Sequence, residues 1–311
     1  MGIKQLNKLI RLYTPLETIN IVKLNGKTIS IDIMIYIYKF MASNTLLENM
    51  YMLCILLKHH KITPIFVFDG KKPVEKREEL NRRREKRKEA WEKYDNIIKN
   101  TQEKELKTEK IQKELSKLKR QCVKIKASHI SDVKNLLTYL GLKYIIAKGE
   151  ADKLCAELVI HKKAYACMSD DMDLFMYGCP IVLRLFNLSK KTTIVYNLHT
   201  VLYYLKMNFH DFQIMCILSG TDYNINYNSN IFKIYKKFLY FINHNKNNDT
   251  FLDWVIKLDP YYDKKIIHKT LEMFNIENNK KYVFVENDFV DKIQLYNLLE
   301  KEFFLNPITV Y

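Results

Sequence analysis

Long apolar runs are missing from this 311-residue chain. The longest, "IMIYIY" at 33–38 and "MLCILL" at 52–57, fall far short of the ~20 residues a membrane-spanning helix needs. The N-terminus carries no charged-then-apolar pattern, and Leu6 breaks the myristoylation pattern that Gly2 opens. Neither a leader nor a lipid anchor is expected. Paired cysteines are missing too. The six cysteines, at 54, 122, 155, 167, 179 and 216, include no CxxC and no Cys/His finger spacing. That argues against a zinc site and a disulfide scaffold, and reads as reduced thiols in the core of an intracellular protein, nuclear or cytoplasmic. No internal repeat is visible.

What is present is a globular chain with a strong excess of positive charge. Hydrophobic residues make up 48% and charged residues 28%, which excludes a disordered tail. The net charge is +16 with a pI near 9.3, a balance that points to a polyanionic partner, most often nucleic acid. Residues 71–126 hold 21 Lys and Arg against 11 Asp and Glu, so +10 of the +16 comes from this one segment. Apart from Pro73 it is free of proline, and it contains no glycine. The segment therefore predicts one or two long charged helices, broken near "NIIKNTQ" (96–102), projecting from a compact body. A solvated helix face is the ordinary fate of such charges, and a clamp for a phosphate backbone is the functional alternative.

The rest of the chain alternates strands and helices. Strands are expected at "KTISID" (27–32), "TPIFVFD" (63–69), "LKYIIA" (142–147), "AYACMS" (164–169), "IVLRLF" (181–186) and "TTIVYN" (192–197). Helices are expected through "MIYIYKFMAS", over 46–60, over about 129–140 and from Ala151. The pattern predicts an α/β fold with a mostly parallel central sheet wrapped by helices. A mainly helical region follows from about 198, with Asn-rich loops at 224–230 and 243–249.

Placed on that frame, the acidic residues collect. Asp32 ends the first strand and Asp69 the second, Glu150 and Asp152 follow the third, and Asp171 and Asp173, in "SDDMD" (169–173), follow the fourth. In an open parallel sheet, ligands bind outside the carboxyl ends of the strands. Any one of these residues has a plain alternative as a helix cap or turn former; four strand ends agreeing does not. Converging carboxylates repel unless something positive lies among them, and oxygen donors without His or Cys favour Mg²⁺ or Mn²⁺. An acidic, divalent-metal edge within a basic protein is the electrostatic layout of a metal-dependent nuclease.

At this point the motifs resemble a family. "MGIKQL", "SIDIMIYIYKF" (30–40), "VFDGKKP" (67–73), "GEAD" (149–152), "SDDMDLFMYG" (169–178) and "LSGTDYN" (218–224) occur in order and are similar to those of the flap endonuclease/XPG-type 5′ nucleases, which have a PIN-like fold. The resemblance covers roughly residues 1–224 and implies seven metal ligands: Asp32, Asp69, Glu150, Asp152, Asp171, Asp173 and Asp222. Position 152 is often Glu in the family. The resemblance further implies two Mg²⁺ ions, with Mn²⁺ as a substitute, and hydrolysis of a phosphodiester by a two-metal mechanism. It assigns Lys76 and Arg83 to the scissile phosphate; seven residues is nearly two helical turns, which puts both on one face. The neighbours Arg77, Arg82, Arg84 and Lys88 keep the plain reading of solvated charges. Tyr38 matches the tyrosine that stacks on the base beside the cut, with Tyr36 left to the core, and Gly2 matches an N-terminus that approaches the DNA once Met1 is removed. Asp170 is expected to be a turn residue. The implied partner is branched or 5′-ended DNA, threaded through the helical arch formed by 71–126.

Two departures limit the resemblance. The family's glycine-rich helix–two-turn–helix, which binds K⁺ and grips duplex DNA, is replaced by "NINYNSNIFKIYKKF" (224–238), with no glycine. A K⁺ site is therefore doubted, because side chains would crowd backbone that has to approach phosphate, and duplex contacts are expected from Lys233, Lys236 and Lys237 instead. "NLLEKEFF" (297–304) has Asn and Glu where a sliding-clamp motif needs other residues, so clamp binding is not supported. The expected layout is a nuclease core over 1–225 and a mainly helical C-terminal region over 226–311. Such a pared-down form, with its Lys-, Ile-, Asn- and Tyr-rich composition, points to a large DNA virus as the source. The competing readings are a non-catalytic DNA-binding scaffold, which predicts a substitution among the seven acids, and a metal-dependent RNase. The chain carries all seven acids.

Overall fold

The computed structural model describes residues 2–100, 108–224, 227, 229–245, 249–276, 282–285 and 289–300. In chain order, helix α1 (Leu6–Tyr13) leads into strand β1 (Glu17–Asn20), then β2 (Thr28–Asp32), α2 (Ile33–Ala42), α3 (Leu46–His59) and β3 (Thr63–Phe68). A 3-10 turn over Val74–Lys76 opens α4 (Arg77–Asn100), followed by α5 (Glu109–Cys122) and α6 (Ala127–Tyr139). Next come β4 (Tyr144–Ile146), α7 (Ala151–Ile160), β5 (Ala166–Met168), the short α8 (Asp173–Met176), β6 (Ile181–Asn187) and β7 (Thr192–Asn197). The remaining elements are helical: α9 (Leu198–Leu205), α10 (Phe209–Leu218), α11 (Ile231–His244), α12 (Phe251–Leu258), α13 (Lys264–Met273) and α14 (Lys292–Glu300).

These elements form two compact units, each assembled from separate stretches of chain. The first comprises Met1–Asp32, His60–Lys72 and Ile145–Val283. It carries the sheet, in the order β1-β7-β6-β5-β2-β3-β4. The pairs β2/β3, β2/β5 and β5/β6 are parallel, while β6/β7 and β1/β7 are antiparallel. The mostly parallel sheet expected from the sequence is thus present, with an antiparallel edge. Central β2 is buried along almost its whole length, as a parallel strand covered on both faces must be. Its buried hydroxyl, Ser30 Oγ, is satisfied by donating to the Cys155 carbonyl at 3.2 Å.

Strand β5, at Ala166–Met168, is shorter than "AYACMS" suggested, although pairing bonds run beyond its C-terminal end. Ala164 N donates to the Leu158 carbonyl at the close of α7, and Ser169 N donates to Leu183 of β6. Sequence patterning missed β1: only Ile19 of its four residues is buried, so it shows no alternation to read.

The second unit comprises Ile33–His59, Pro73–Tyr144 and Phe284–Tyr311. Its α4 is 24 residues long, about 36 Å at 1.5 Å per residue. Only Glu79 and Ala90 of α4 are buried. It packs along α5, which contributes Leu115 and Leu118 to the buried set. The helix was expected to break near 96–102, but residues 96–100 continue α4 without interruption; 101 and 102 lie outside the described residues.

Candidate active site

The acidic residues of the first unit are set by strand ends and short hydrogen bonds. Asp32 is the last residue of β2 and accepts from Ser169 Oγ at 3.1 Å. Ser169 in turn accepts from Asp171 N at 3.2 Å, and Asp171 Oδ1 accepts from Asp173 N at 3.1 Å. One serine therefore ties the end of β2 to the loop that follows β5. On the other side of β2, the chain leaving β3 runs against the loop before α7. Ala147 N donates to Phe68 O, and Gly70 N donates to Gly149 O at 2.8 Å. A side chain at Gly70 would meet the Ala147 carbonyl oxygen at 1.8 Å, so the approach depends on glycine. It brings Asp69 beside the start of α7, where Asp69 Oδ1 accepts from Ala151 N at 2.9 Å.

Glu150 is held from a third direction. Tyr223 Oη donates to Glu150 Oε2 at 2.5 Å, and Tyr177 Oη lies 3.3 Å from Tyr223 Oη. Both rings pack on Phe274, at 5.2 and 5.1 Å between centroids. Burial, and then the carboxylates of Asp152 and Glu150 and the neighbouring Tyr223, push the Tyr177 phenol well above its ordinary value. Tyr177 stays a neutral hydroxyl facing an anionic field. Asp222 sits in a turn stapled by Asn224, whose Oδ1 accepts from Thr221 N at 2.8 Å and whose Nδ2 donates to Ile217 O at 2.9 Å.

Gly2 approaches the carboxylates themselves. A Cβ there would lie 2.3 Å from Asp173 Oδ1 and 2.6 Å from Asp171 Oδ1, and its φ is +74°. Two carboxylate oxygens thus converge on one point that only glycine leaves open. Asp173 is fully buried, and Asp32, Asp152 and Asp222 nearly so. Among the described residues, no three His, Cys, Asp or Glu side chains close around one point tightly enough to hold an ion by themselves. An all-oxygen set of converging but open carboxylates fits Mg²⁺, which binds through one or two carboxylates and keeps several of its waters.

The loop carrying "SDDMD" is also fixed from behind. Asp170 Oδ1 accepts from Leu185 N at 2.7 Å, and its carbonyl accepts from Arg184 Nη2 at 2.8 Å. Arg184 is buried, donates Nη1 to Asn7 Oδ1 at 2.6 Å, and lies 5.1 Å from the Tyr196 ring centroid. Asp170 therefore anchors its loop to β6, a firmer part than that of a simple turn former.

Comparison with known proteins agrees with this geometry. The model of the XPG N-terminal domain matches residues 1–90 and that of the XPG I-region matches residues 141–222. The chain belongs to the XPG family of nucleases. It is 29% identical to flap endonuclease 1 of Methanococcus aeolicus over 303 residues, which is 88% of either chain. It is 32% identical to human flap endonuclease 1 over 246 residues, 72% of this chain and 62% of the relative. The chain thus spans less than two thirds of the human protein's length. Among solved structures, the catalytic core of Rad2 in complex with a DNA substrate superimposes with a TM-score of 0.64 at 19% identity, covering 98% of this chain and 95% of that one. That likeness is one of fold.

In this XPG-family chain the seven acids and Gly2 all fall in the first unit, whereas Lys76, Arg83 and Tyr38 belong to the second. Lys76 is buried and Tyr38 is 40% exposed, with Tyr36 in the core. Arg83 Nε donates to Glu79 Oε1 at 2.9 Å, and Arg82 Nε to Glu79 Oε2 at 2.6 Å. The buried Glu79 carboxylate therefore orients both Arg83, which the resemblance assigned to the phosphate, and Arg82, which the sequence left as a solvated neighbour. On α11, Lys233 and Lys236 are exposed, and Lys237 lies 3.7 Å from Asp259. Of the glycine-free stretch, Ile225, Asn226 and Asn228 lie outside the described residues, as do residues 301–304 of "NLLEKEFF". Helix α11 starts at an Asn230 cap, whose side chain accepts from Phe232 N.

Reasoning from sequence missed Ser169, Tyr223 and Glu79. "GTDY" did place Tyr223 beside a metal-ligand candidate, which was the available signal.

Proposed function

We propose that this chain is a Mg²⁺-dependent, structure-specific 5′ nuclease. It cleaves phosphodiester bonds of branched DNA, at 5′ flaps or inward from 5′ ends, in replication, repair or recombination inside the cell. The observation that carries the reading is the acidic edge itself: seven carboxylates on one unit, two of them converging on a glycine. Asp32, Asp69, Glu150, Asp152 and Asp171 would hold one ion and its waters, and Asp173 and Asp222 a second, with Mn²⁺ as a substitute. When bound, such an ion pair supplies Lewis-acid activation of the attacking water and of the scissile phosphodiester.

The chain's own groups do the rest. Ser169, the Ala151 amide and Tyr223 hold Asp32, Asp69 and Glu150 in fixed orientations, which lowers the reorganisation needed at the moment of reaction. Lys76 and Arg83 stabilise the charge that develops on the phosphate, Tyr38 stacks on the base beside the cut, and Gly2 lets DNA approach the carboxylates. Lys233, Lys236 and Lys237 hold the duplex without a K⁺ site, and no sliding-clamp contact is part of this reading. The nuclease core is assigned to residues 1–225 and the helical C-terminal region to 226–311.

The test is cleavage of a 5′-labelled DNA flap with Mg²⁺, beside EDTA and Asp171→Ala. Cutting near the flap base is expected, with a loss of more than ~100-fold in the variant and none left in EDTA. An RNA flap of the same shape cut in place of the DNA flap would overturn the DNA assignment. Tight flap binding without cutting would overturn the reaction.

A further inference from the structure

The chain has two tryptophans, and they sit in opposite environments. Trp254 packs among Tyr240, Phe241 and Phe251, with centroids 5.6–6.4 Å away. Trp91, on the charged helix α4, is 58% exposed. Its ring stacks on Tyr94 at 6.0 Å and an interplanar angle of 23°, one helical turn along. Exposed tryptophan on a helix this polar serves neither helix propensity nor the core.

The surroundings of the pair say what would cover it. A helix advances about 100° per residue, which places Arg77, Arg84, Arg87 and Lys88 on the flank that carries Trp91. The same count sends Glu78, Glu85, Glu89 and Glu92 to the opposite flank, where they alternate with Arg82, Lys86 and Lys93. The one acid on the Trp91 side, Asp95, is ion-paired with Lys99 at 2.6 Å. Ala90 is buried, so the next residue turns away from that buried position and outward. The Trp91 flank is thus cationic and nearly free of acids, whereas the opposite flank mixes both signs, and the aromatic pair lies on the cationic side.

We propose that Trp91 and Tyr94 form a stacking platform for unpaired bases of a 5′ single-stranded DNA arm, with Arg84, Arg87 and Lys88 following its phosphates. The inference rests on the reading of the chain as a 5′-strand nuclease. Cations spaced along a groove with aromatic faces between them are how single strands are held without sequence preference, since every base offers a π-face. Trp91 lies about two turns beyond Arg83, so the platform engages the arm at a distance from the cut and sets which arms are held, apart from the chemistry.

The experiment uses full-length Trp254→Phe protein, which leaves Trp91 as the sole tryptophan, and three DNAs in Ca²⁺: a flap with an ordinary 5′ arm, a flap whose arm is abasic sugar-phosphate of equal length, and a nicked duplex with no arm. The ordinary arm is expected to quench Trp91 emission and the abasic arm to leave it unchanged. By anisotropy, Trp91→Ala is expected to bind the ordinary flap roughly tenfold more weakly and the abasic flap as before, with Trp91→Phe recovering much of the loss. Equal weakening on both flaps, or no change on either, would overturn the platform. So would wild-type affinity that is the same with and without an arm. A wild-type protein that binds the arm and quenches but never cuts in Mg²⁺ would sink the nuclease reading and leave the platform standing.

Discussion

The acidic edge of the first unit and the charged helices of the second use charge in opposite ways. Asp32, Asp69, Glu150 and Asp171 come from places far apart in sequence, and each is fixed by at least one hydrogen bond of 2.5–3.2 Å from Ser169, Ala151, Tyr223 or the loop itself. The cations of α4 come from one continuous segment and lie mostly in solvent. Their ion pairs are local: Lys99 with Asp95 and Lys88 with Glu92 are i,i+4 contacts of exposed side chains, worth a few tenths of a kcal/mol each. Like charges brought together need a scaffold to hold them, whereas a cationic surface for a polyanion needs only a helix and its spacing. The exception is Glu79, which is buried and orients Arg82 and Arg83, giving a small part of α4 the fixed character of the acidic edge.

Substitutions can break that contrast at its most rigid point first. Gly2→Ala puts a methyl group against Asp171 and Asp173, and its expected effect is a 10- to 100-fold loss of Mn²⁺ affinity, roughly the range typical of disturbed ligand support, read by calorimetry or electron paramagnetic resonance. Gly26→Ala is the matching control. Gly26 has a φ of +72° with nothing within 4 Å of a Cβ, so it should lose about 1–2 kcal/mol of stability and none of its metal affinity. Equal metal affinity in the two variants would show that backbone strain, and not the carboxylates, explains glycine at position 2.

Tyr223→Phe removes one hydroxyl while keeping the ring on Phe274, and is expected to weaken Mn²⁺ binding about tenfold. In a Glu150→Gln background the same substitution should add almost nothing, because the two act through one hydrogen bond. Additive losses would mean that Tyr223 acts elsewhere.

The thiols give the smallest effect, and Cys122 of the charged helices stands apart from the rest. Burial pushes up Cys155, Cys167, Cys179 and Cys216 of the first unit, and Cys54 of the second. Cys122, at the end of charged α5, is only partly buried and is raised by the same cause. At pH 8 a maleimide should label Cys122 first and reach the others only on unfolding, as followed by mass shift. A thiol that keeps its proton when folded contributes stability below its unfolded value of about 8.5 and loses it as pH rises beyond. The melting temperature should therefore begin to fall above about pH 9.

Much of this was legible because period and strand ends are local. "TTIVYN" was read over 192–197, the span that β7 occupies. The acids were read from the rule that strand carboxyl ends collect ligands, and the structure puts Asp32 at the end of β2 and Asp69 directly after β3. The residues that hold them were not legible. Ser169 reaches Asp32 across 137 positions and Tyr223 reaches Glu150 across 73, distances over which no periodicity carries information. Gly2 was read as a place for DNA to approach; the structure adds that its neighbours are carboxylates.

The discontinuous first unit also sets an order of assembly. Strand β2 lies in the sheet between β3 and β5, and β5 follows only after the whole charged segment has been synthesised. Helices α4 and α5 close local contacts as they emerge, while β2, paired early with β3, waits for β5 more than a hundred residues away, which is slow to find. A ribosome making this chain thus exposes the basic helices α4 and α5 well before Asp171, Asp173 and Asp222 exist. The growing polypeptide acquires its cationic surface first and completes its acidic edge last.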